Sequence, residues 1–313
     1  MRLQVSHDTH YRYPQAVHTA HHIAHLSPPT APTQNVLSHQ LTVSPEPSAW
    51  SQRDDALGNH VTQWQVVGAH DALSVQARSV VETRCIAPPD LPALDWTAAA
   101  AHYRYRSGQS HDAAAAFTFA SKHVPRGEAF TAYAAPSFGA GQSLVEAALD
   151  LLRRMDQDFS YQALSTTIHT PALAALQARE GVCQDFAHIM LACLRSLGLS
   201  ACYVSGYLLT QPPEGHARLR GSDASHAWVA LHVPDTTGAS AGAWLHLDPT
   251  NHRSGWDSPG EDYVRLALGR DFADVSPLRG VLTGGASHEL TVAVTVEPAD
   301  DGDDTGDAGS SPA

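Results

Sequence analysis

The sequence is poor in several informative residue types: it has four cysteines, one lysine and 19 basic residues against 32 acidic ones. The cysteines, Cys85, Cys183, Cys193 and Cys202, form no CxxC pair and are widely spaced, which argues against a disulfide framework. The formal net charge is −13. Because nucleic acids and anionic membranes bind clustered Lys and Arg, we expect neither as a partner.

Long apolar runs are also missing. No stretch approaches the roughly 18 apolar residues of a membrane-spanning helix, and the N-terminal text MRLQVSHDTHYRYPQ lacks the apolar core of a signal peptide. With 43% hydrophobic and 16% charged residues, the composition is that of a folded protein. We therefore expect a soluble cytoplasmic protein, and the length favours two domains.

The first part of the chain has the pattern of an antiparallel β domain. RLQVSH, HQLTVSP, VTQWQVV and LSVQARSVVET alternate polar and apolar residues with a period of two. Turn-rich pieces separate them, and Asp55–Asn59 and Gly68–Asp71 are predicted hairpin connections. We place this domain at residues 1–90, because the prolines of Ile86–Pro92 disfavour both helix and central strand.

The second part predicts helices followed by strands. Residues 91–140 are an alanine-rich linker with a predicted helical segment near Asp112–Lys122. Residues 141–297 begin with predicted helices at Gly141–Arg154, Pro171–Ala178 and 182–198. ACYVSGYLL, HAWVALHV and AWLHLDP then alternate like strands, and Glu289–Pro298 is the final strand. This order predicts an α+β domain in which a helix packs on an antiparallel sheet. The acidic residues 298–313 predict a disordered tail.

Three short segments contain the side chains of a nucleophilic site: GVCQDFAH with Cys183, DASHAWVAL with His226 and WLHLDPTN with Asp248. At the start of a helix, free N–H groups and the helix dipole stabilise a thiolate. His226 would take the thiol proton, and Asp248 would orient the imidazole. Together the segments predict a Cys–His–Asp triad.

The same residues also have a structural interpretation. Cys183 is in helical register with Phe186 and Met190, so it would pack in the core as an ordinary small apolar residue. His226 alone would be one histidine among 20, and Asp248 alone would be a turn residue before a proline. Only the conjunction of the three favours catalysis.

A run of histidines offers a rival site. HTAHHIAH places His18, His21, His22 and His25 at i, i+3, i+4 and i+7, a spacing that would cluster metal ligands on a helix. The flanking text predicts strand and turn instead, and the chain has neither an HExxH motif nor a DxDxDG-type calcium loop. We therefore predict no metal and no cofactor.

GVCQDFAHIMLACLRSLGLSACYVSGYL, SHAWVAL and WLHLDPTN, in this order, resemble the core of the transglutaminase-like superfamily, in particular its bacterial branch of proposed cysteine peptidases. HDTHYRYPQAV and LTVSPEP resemble the N-terminal β domain of that branch, and Tyr263–Gly285 resembles its C-terminal segment. The resemblance implies a papain-like transglutaminase core. It implies Cys183 as nucleophile, His226 as base and Asp248 as orienting acid.

The resemblance also implies an oxyanion donor upstream of the cysteine. Tyr161 and Gln162 are candidates by position, and Gln184 and Trp228 are candidates for lining the site. The implied activity is cleavage of an amide bond in a peptide or protein through a thioester, as a peptidase or amidohydrolase. Two alternatives stay open from the sequence: a protein-glutamine acyl transferase (transglutaminase), and a non-catalytic peptide-binding module on the same scaffold. The oligomeric state stays open as well.

Overall fold

The computed structural model describes residues 1–105, 107–108, 112–162, 170–210, 225–284 and 287–299. The tail predicted for residues 298–313 lies outside the described residues from position 300 onward. The β-strands are β1 (Arg2–Ser27), β2 (Gln34–Ser44), β3 (Ala49–Asp54), β4 (His60–Thr83), β5 (Ser160–Tyr161), β6 (Glu180–Gly181), β7 (Ala201–Leu208), β8 (Ser225–Val233), β9 (Ala243–Asp248), β10 (Arg253–Trp256), β11 (Tyr263–Gly269), β12 (Leu278–Gly284) and β13 (Glu289–Pro298). The α-helices are α1 (Trp96–His102), α2 (Glu128–Ala134), α3 (Leu144–Asp158), α4 (Ala172–Ala178), α5 (Cys183–Ser196) and α6 (Phe272–Val275).

Two long strands form the centre of the N-terminal sheet. β1 has 26 residues and β4 has 24, and they pair antiparallel along most of their length. β2 and β3 pair with successive parts of β4. Val17, Trp64 and Leu73 are buried in the apolar core of this sheet, because alternate residues of a strand point to the same face. The predicted antiparallel β domain is confirmed.

The segment Gly68–Asp71 is not the hairpin connection that we predicted. β4 continues through it and pairs with β1 on both sides. Gly68 has a φ of +114°, and the pairing register shifts between Val17 and Thr19 of β1. A glycine in this conformation opposite a bulge bends two paired strands without reversing the chain.

The C-terminal strands return to the N-terminal sheet. β12 pairs with residues 17–24 of β1, and β13 pairs with residues 3–12. Apart from Pro298, both lie in residues 141–297, the range in which we predicted the α+β domain. The edge of β1 that β4 leaves free needs hydrogen-bond partners, and these two strands supply them. The sheet thus has six strands within the described residues.

A second sheet carries the candidate site. In the part of the chain that the structure describes, it has five antiparallel strands in the order β10–β9–β8–β7–β11. Phe186, Ile189 and Met190 of α5 are buried in one apolar core with Val229 of β8 and Leu247 of β9. A helix on an antiparallel sheet, preceded by a β domain, confirms the predicted α+β fold class.

The helices near the site begin close to their predicted positions. Ser143 caps α3 by accepting the N–H of Glu146, and Pro171 precedes α4. The helix predicted near residues 112–122 is a short 3₁₀ segment, Ala113–Thr118. None of the helices in the described ranges combines the length and the apolar character that crossing a membrane requires.

Specific contacts join the two sheets. Apolar residues of β1, β7, β11 and β13 form one buried cluster. The side-chain amide of Gln34 donates to Arg265 C=O (2.9 Å) and accepts from Arg265 N–H (2.8 Å). Asn59 binds both backbone groups of Leu268 in the same way, at 2.8 and 2.7 Å. The N-terminal domain therefore holds the edge of β11 in a defined position.

Candidate active site

Cys183 is the first residue of α5 and is partly buried. Phe186 N–H donates to Val182 C=O (3.1 Å) as the helix begins. The N–H groups of Cys183 and Gln184 therefore precede the hydrogen-bond ladder of the helix. These groups and the helix dipole attract negative charge, so the local structure favours an anion at this position.

Asp185 sets the point at which this helix begins. Its Oδ2 atom accepts a hydrogen bond from Val182 N–H (2.9 Å), and its side chain is buried. A Cβ atom at position 181 would lie 2.8 Å from that oxygen, so only glycine leaves room for the carboxylate. The segment GVCQD thus caps the helix and places the cysteine at its first position.

His226 is the second residue of β8 and is buried. Its Nε2 atom lies 2.7 Å from Asp248 Oδ2, and the thiol group of Cys183 is near enough to act on the pKa of the ring. Since Nε2 faces the carboxylate, Nδ1 is the ring nitrogen available to the thiol. The imidazole therefore contacts the carboxylate and lies near the sulfur.

Burial and local charges have opposing effects on the pKa values of His226 and Asp248. Burial lowers the pKa of His226, but the hydrogen bonds and charges of Asp248 and Cys183 outweigh it and raise the pKa to about 10. Burial acts to raise the pKa of Asp248, but the hydrogen bond and charge of His226, with further donors, lower it below its ordinary value. Both shifts favour an imidazolium–carboxylate pair.

Asp248 ends β9 and is fully buried. Its Oδ1 atom accepts from the backbone N–H groups of Thr250 (2.9 Å) and Asn251 (3.3 Å). Its Oδ2 atom accepts from Asn251 Nδ2 (2.8 Å) and from the Tyr263 hydroxyl (2.7 Å), besides facing His226. These donors stabilise the charged carboxylate and fix its orientation.

Sequence reasoning missed Asn251 and Tyr263. Asn251 lies three residues after Asp248 in the segment LDPTN, and a side chain that closes a turn often has this spacing. Tyr263 opens β11, 15 positions after the carboxylate it contacts. No local pattern marks this tyrosine, because its role depends on how β10 and β11 fold back.

Trp228 supports His226 from the buried side. The two rings stack with centroids 6.0 Å apart and planes 25° apart. Trp228 Nε1 donates to His246 Nδ1 (2.8 Å), and the ring of Tyr263 meets the indole edge-on at 5.3 Å. Trp228 is 1% exposed, so it contacts the base but lines no surface open to a substrate.

Tyr161, Gln162 and Gln184 lie beside the start of α5. Tyr161 is in register with Gly181 through the pairing of β5 and β6, and Gln162 N–H donates to Gly181 C=O (2.9 Å). The side chain of Tyr161 is exposed, and burial of part of it together with the charge of Cys183 raises its pKa. Gln184 follows Cys183 in the first helical turn. That Tyr161 or Gln162 stabilises an oxyanion, and that Gln184 lines the site, remain predictions.

The run of histidines lies on β1, away from this site. His22 stacks on Trp64 at 5.3 Å, and His25 is hydrogen-bonded to Ser276 C=O (3.2 Å). His21 is exposed on the strand. Within the described ranges, no three side chains of His, Cys, Asp or Glu are grouped to hold a metal ion.

A cysteine that begins a helix, packed on a sheet that carries a hydrogen-bonded His–Asp pair, is the arrangement of a cysteine-dependent enzyme. Residues 3–82 match the family model of the bacterial transglutaminase-like N-terminal region. Residues 131–249 match the model of the transglutaminase-like superfamily. The chain belongs to the transglutaminase-like superfamily, and the resemblance described from the sequence is confirmed.

Known proteins resemble the chain over nearly its whole length. An uncharacterised protein of Mycobacterium tuberculosis is 40% identical over 303 residues, which cover 95% of this chain and 93% of the relative. An uncharacterised protein of Mycobacterium leprae is 29% identical, over 94% of this chain and 98% of the relative. The crystal structure of a candidate cysteine protease from Cytophaga hutchinsonii has a TM-score of 0.68 and 20% identity, and covers 96% of this chain and 92% of its own.

Proposed function

We propose that the protein is a peptidase or amidohydrolase that cleaves an amide bond through a thioester on Cys183. The observation that carries this proposal is the position of His226, which is hydrogen-bonded to Asp248 through Nε2 and lies near enough to Cys183 for the two groups to interact. Such a histidine can hold the thiol proton and later deliver it to a leaving group. The start of α5 adds N–H groups where negative charge develops.

In the first half-reaction, the Cys183 thiolate attacks the carbonyl carbon of the amide. Negative charge moves to the carbonyl oxygen, where first-turn N–H groups of α5 stabilise it. The imidazolium of His226 gives its Nδ1 proton to the nitrogen, the C–N bond breaks and the amine leaves. The acyl group remains on sulfur as a thioester.

In the second half-reaction, neutral His226 takes a proton from water, and the oxygen attacks the thioester. The C–S bond breaks, the carboxylic acid leaves and the thiolate–imidazolium pair forms again. Asp248 keeps the imidazole oriented in both steps. Water needs no binding site for a second substrate, so hydrolysis is the simplest reaction for this arrangement.

The alternatives differ in what happens at the thioester. A primary amine that attacks it would make the protein an acyl transferase of the transglutaminase type. A non-catalytic peptide-binding module would form no thioester, and the presence of all three triad residues argues against it. The substrate we propose is a peptide or protein amide.

The test is to incubate a diverse peptide mixture with wild type and with Cys183→Ala, with and without an added primary amine, and to analyse products by mass spectrometry. We expect cleaved or deamidated products from wild type alone. Cys85→Ala is the matched control, because Cys85 is exposed and lies outside the site, and it should match wild type. Equal products from Cys183→Ala would contradict the proposal, and products that form only with the amine would establish acyl transfer.

A further inference from the structure

Three donors converge on a single oxygen of the site. Asp248 Oδ2 lies 2.7 Å from His226 Nε2, 2.7 Å from the Tyr263 hydroxyl and 2.8 Å from Asn251 Nδ2. A carboxylate offers about four lone-pair sites, roughly two on each oxygen. The three donors therefore compete for the electron density of one atom, and each donor weakens the hydrogen bonds that the other two make to it.

Packing contacts hold the side chain of Tyr263 in its position beside Asp248. Its side chain is buried, and its ring packs edge-on against Trp228. The guanidinium of Arg253 lies 4.8 Å from the centroid of the tyrosine ring, and Asp262 holds that guanidinium through Nη2 and Oδ1 (2.7 Å). A cation over the ring draws electron density from the phenol and makes its hydroxyl a stronger donor.

We propose that Tyr263 is a positioning residue of the active site, whose hydroxyl shares Asp248 Oδ2 with His226 and limits how strongly the carboxylate binds the imidazole. The inference rests on the proposed function, because it assigns His226 the transfer of a proton. It adds a residue outside the triad that adjusts this transfer.

The physical reason lies in the charge of the carboxylate. When the imidazole is neutral, Asp248 carries a full negative charge and attracts the tyrosine hydroxyl strongly. When the imidazole is protonated, its charge offsets that of the carboxylate and weakens the attraction. The hydroxyl of Tyr263 therefore stabilises the neutral imidazole more than the imidazolium. It lowers the proton affinity of His226, so that the proton can pass to a leaving group.

The charged and titratable groups around His226 and Asp248 come from four helices and strands. Cys183 faces His226 from α5, and Asp248 faces it from β9. Tyr263 faces Asp248 from β11, and Arg253 of β10 lies close enough for its charge to interact with Tyr263 and Asp248. Tyr263→Phe removes only a hydroxyl from this group and leaves every charge in place.

The experiment compares Tyr263→Phe with wild type by two rates. The first is the rate at which iodoacetamide alkylates Cys183 at about pH 5, where an ordinary thiol is almost wholly protonated. The second is turnover of a substrate found with the peptide mixture. Since a more basic His226 draws the proton from sulfur more readily, we expect alkylation to be about threefold faster and turnover to be slower, by roughly tenfold.

Tyr207→Phe is the matched control. It removes another buried tyrosine hydroxyl, which lies 2.8 Å from His7 Nδ1 and outside the site, and both rates should stay at their wild-type values. Asn251→Ala removes a second donor from Asp248 Oδ2 at an exposed position, and it should change both rates in the same directions as Tyr263→Phe. It also provides the test if Tyr263→Phe does not fold.

The outcomes separate the two proposals. If Tyr263→Phe leaves alkylation unchanged or slows it together with turnover, the tyrosine is only structural and the inference fails. If Cys183 of the wild type is alkylated no faster than the exposed Cys85 at this pH, the proposed function fails first. If Tyr263→Phe speeds alkylation of Cys183 and slows turnover, the result supports both the inference and the proposed function.

Discussion

Gly206 lies directly opposite His226 in the antiparallel register of β7 and β8. A Cβ atom on this glycine would stand 2.2 Å from Val264 C=O and 2.5 Å from Cη2 of Trp228. Trp228 stacks on the imidazole of His226. The absence of a side chain at Gly206 therefore allows β11 and the indole to pack closely against this part of β8.

Gly206→Ala should therefore destabilise the protein and lower its activity together. Backbone of β11 or the indole must move, and overpacking of this kind costs about 1–3 kcal/mol. Urea unfolding and turnover measure the two effects. Gly139→Ala is the control, because its Cβ would meet only Gln142 Oε1, at an ordinary 3.5 Å. A Gly206→Ala protein with wild-type stability and turnover would show that the close packing behind His226 is not required.

His226→Gln should remove the enhanced reactivity that we propose for Cys183. Without the imidazolium, the thiolate loses the positive group that balances its charge. We expect the iodoacetamide rate of Cys183 at about pH 6 to fall at least tenfold, to the rate of an ordinary thiol. Peptide mapping measures Cys183 and the exposed Cys85 in the same sample, so Cys85 is an internal reference. An unchanged ratio of the two rates would argue against the ion pair.

Asp248→Asn should reduce turnover by about three to four orders of magnitude, as for other triad carboxylates. Whichever way the new amide turns, its NH₂ group faces N–H or O–H donors that now bind a carboxylate oxygen. We expect a loss of stability too, visible in urea unfolding. Asp235→Asn is the control, since Asp235 also accepts several hydrogen bonds but lies in the turn after β8. Turnover within tenfold of wild type would exclude Asp248 from the triad.

Acid should unfold the protein in part through His7, at the contact between β1 and β7. Burial, aided by Arg78 and opposed by Asp8, lowers the pKa of His7 to about 4, whereas an unfolded histidine titrates near 6.5. The unfolded chain then binds a proton that the folded chain does not. The stability that neutral His7 contributes is complete above about pH 6.5 and is lost as the pH falls towards 4, by about 3 kcal/mol at most.

His7→Gln keeps a polar partner for Tyr207 but does not titrate. Its unfolding free energy should fall less steeply than that of wild type between about pH 6.5 and 4. His10→Gln, at an exposed position of the same strand, is the control and should keep the wild-type slope. Equal slopes for wild type and His7→Gln would show that His7 does not contribute to acid unfolding.

The positions of Cys183, His226 and Asp248 could be predicted because each lies at a point that local sequence marks. A glycine and an apolar helical repeat mark the start of α5, and alternation marks β8 and β9. The proximity of the three side chains could not be predicted from alternation alone, since it depends on β8 and β9 being neighbours in the sheet. Tyr263 shows the limit most clearly, because its contact with Asp248 comes from a further reversal of the chain.

The fold, too, could be predicted only in part from local sequence patterns. Alternation correctly indicated an antiparallel N-terminal sheet, but Gly68 in β4 reads like a turn residue whether the chain reverses or only bends. Strand pattern also identified Glu289–Pro298 without naming its partner. Its pairing with β1, almost 300 positions earlier in the chain, is a long-range contact that no local window contains.

The return of β12 and β13 to β1 has a consequence for biosynthesis. During translation β1 leaves the ribosome about 270 residues before β12 and β13, the strands that complete its outer edge. Until then β1 has an open edge, which can pair with other chains. The N-terminal sheet is therefore completed only after the second sheet has been synthesised, and a nascent chain stalled before residue 278 should depend on chaperones.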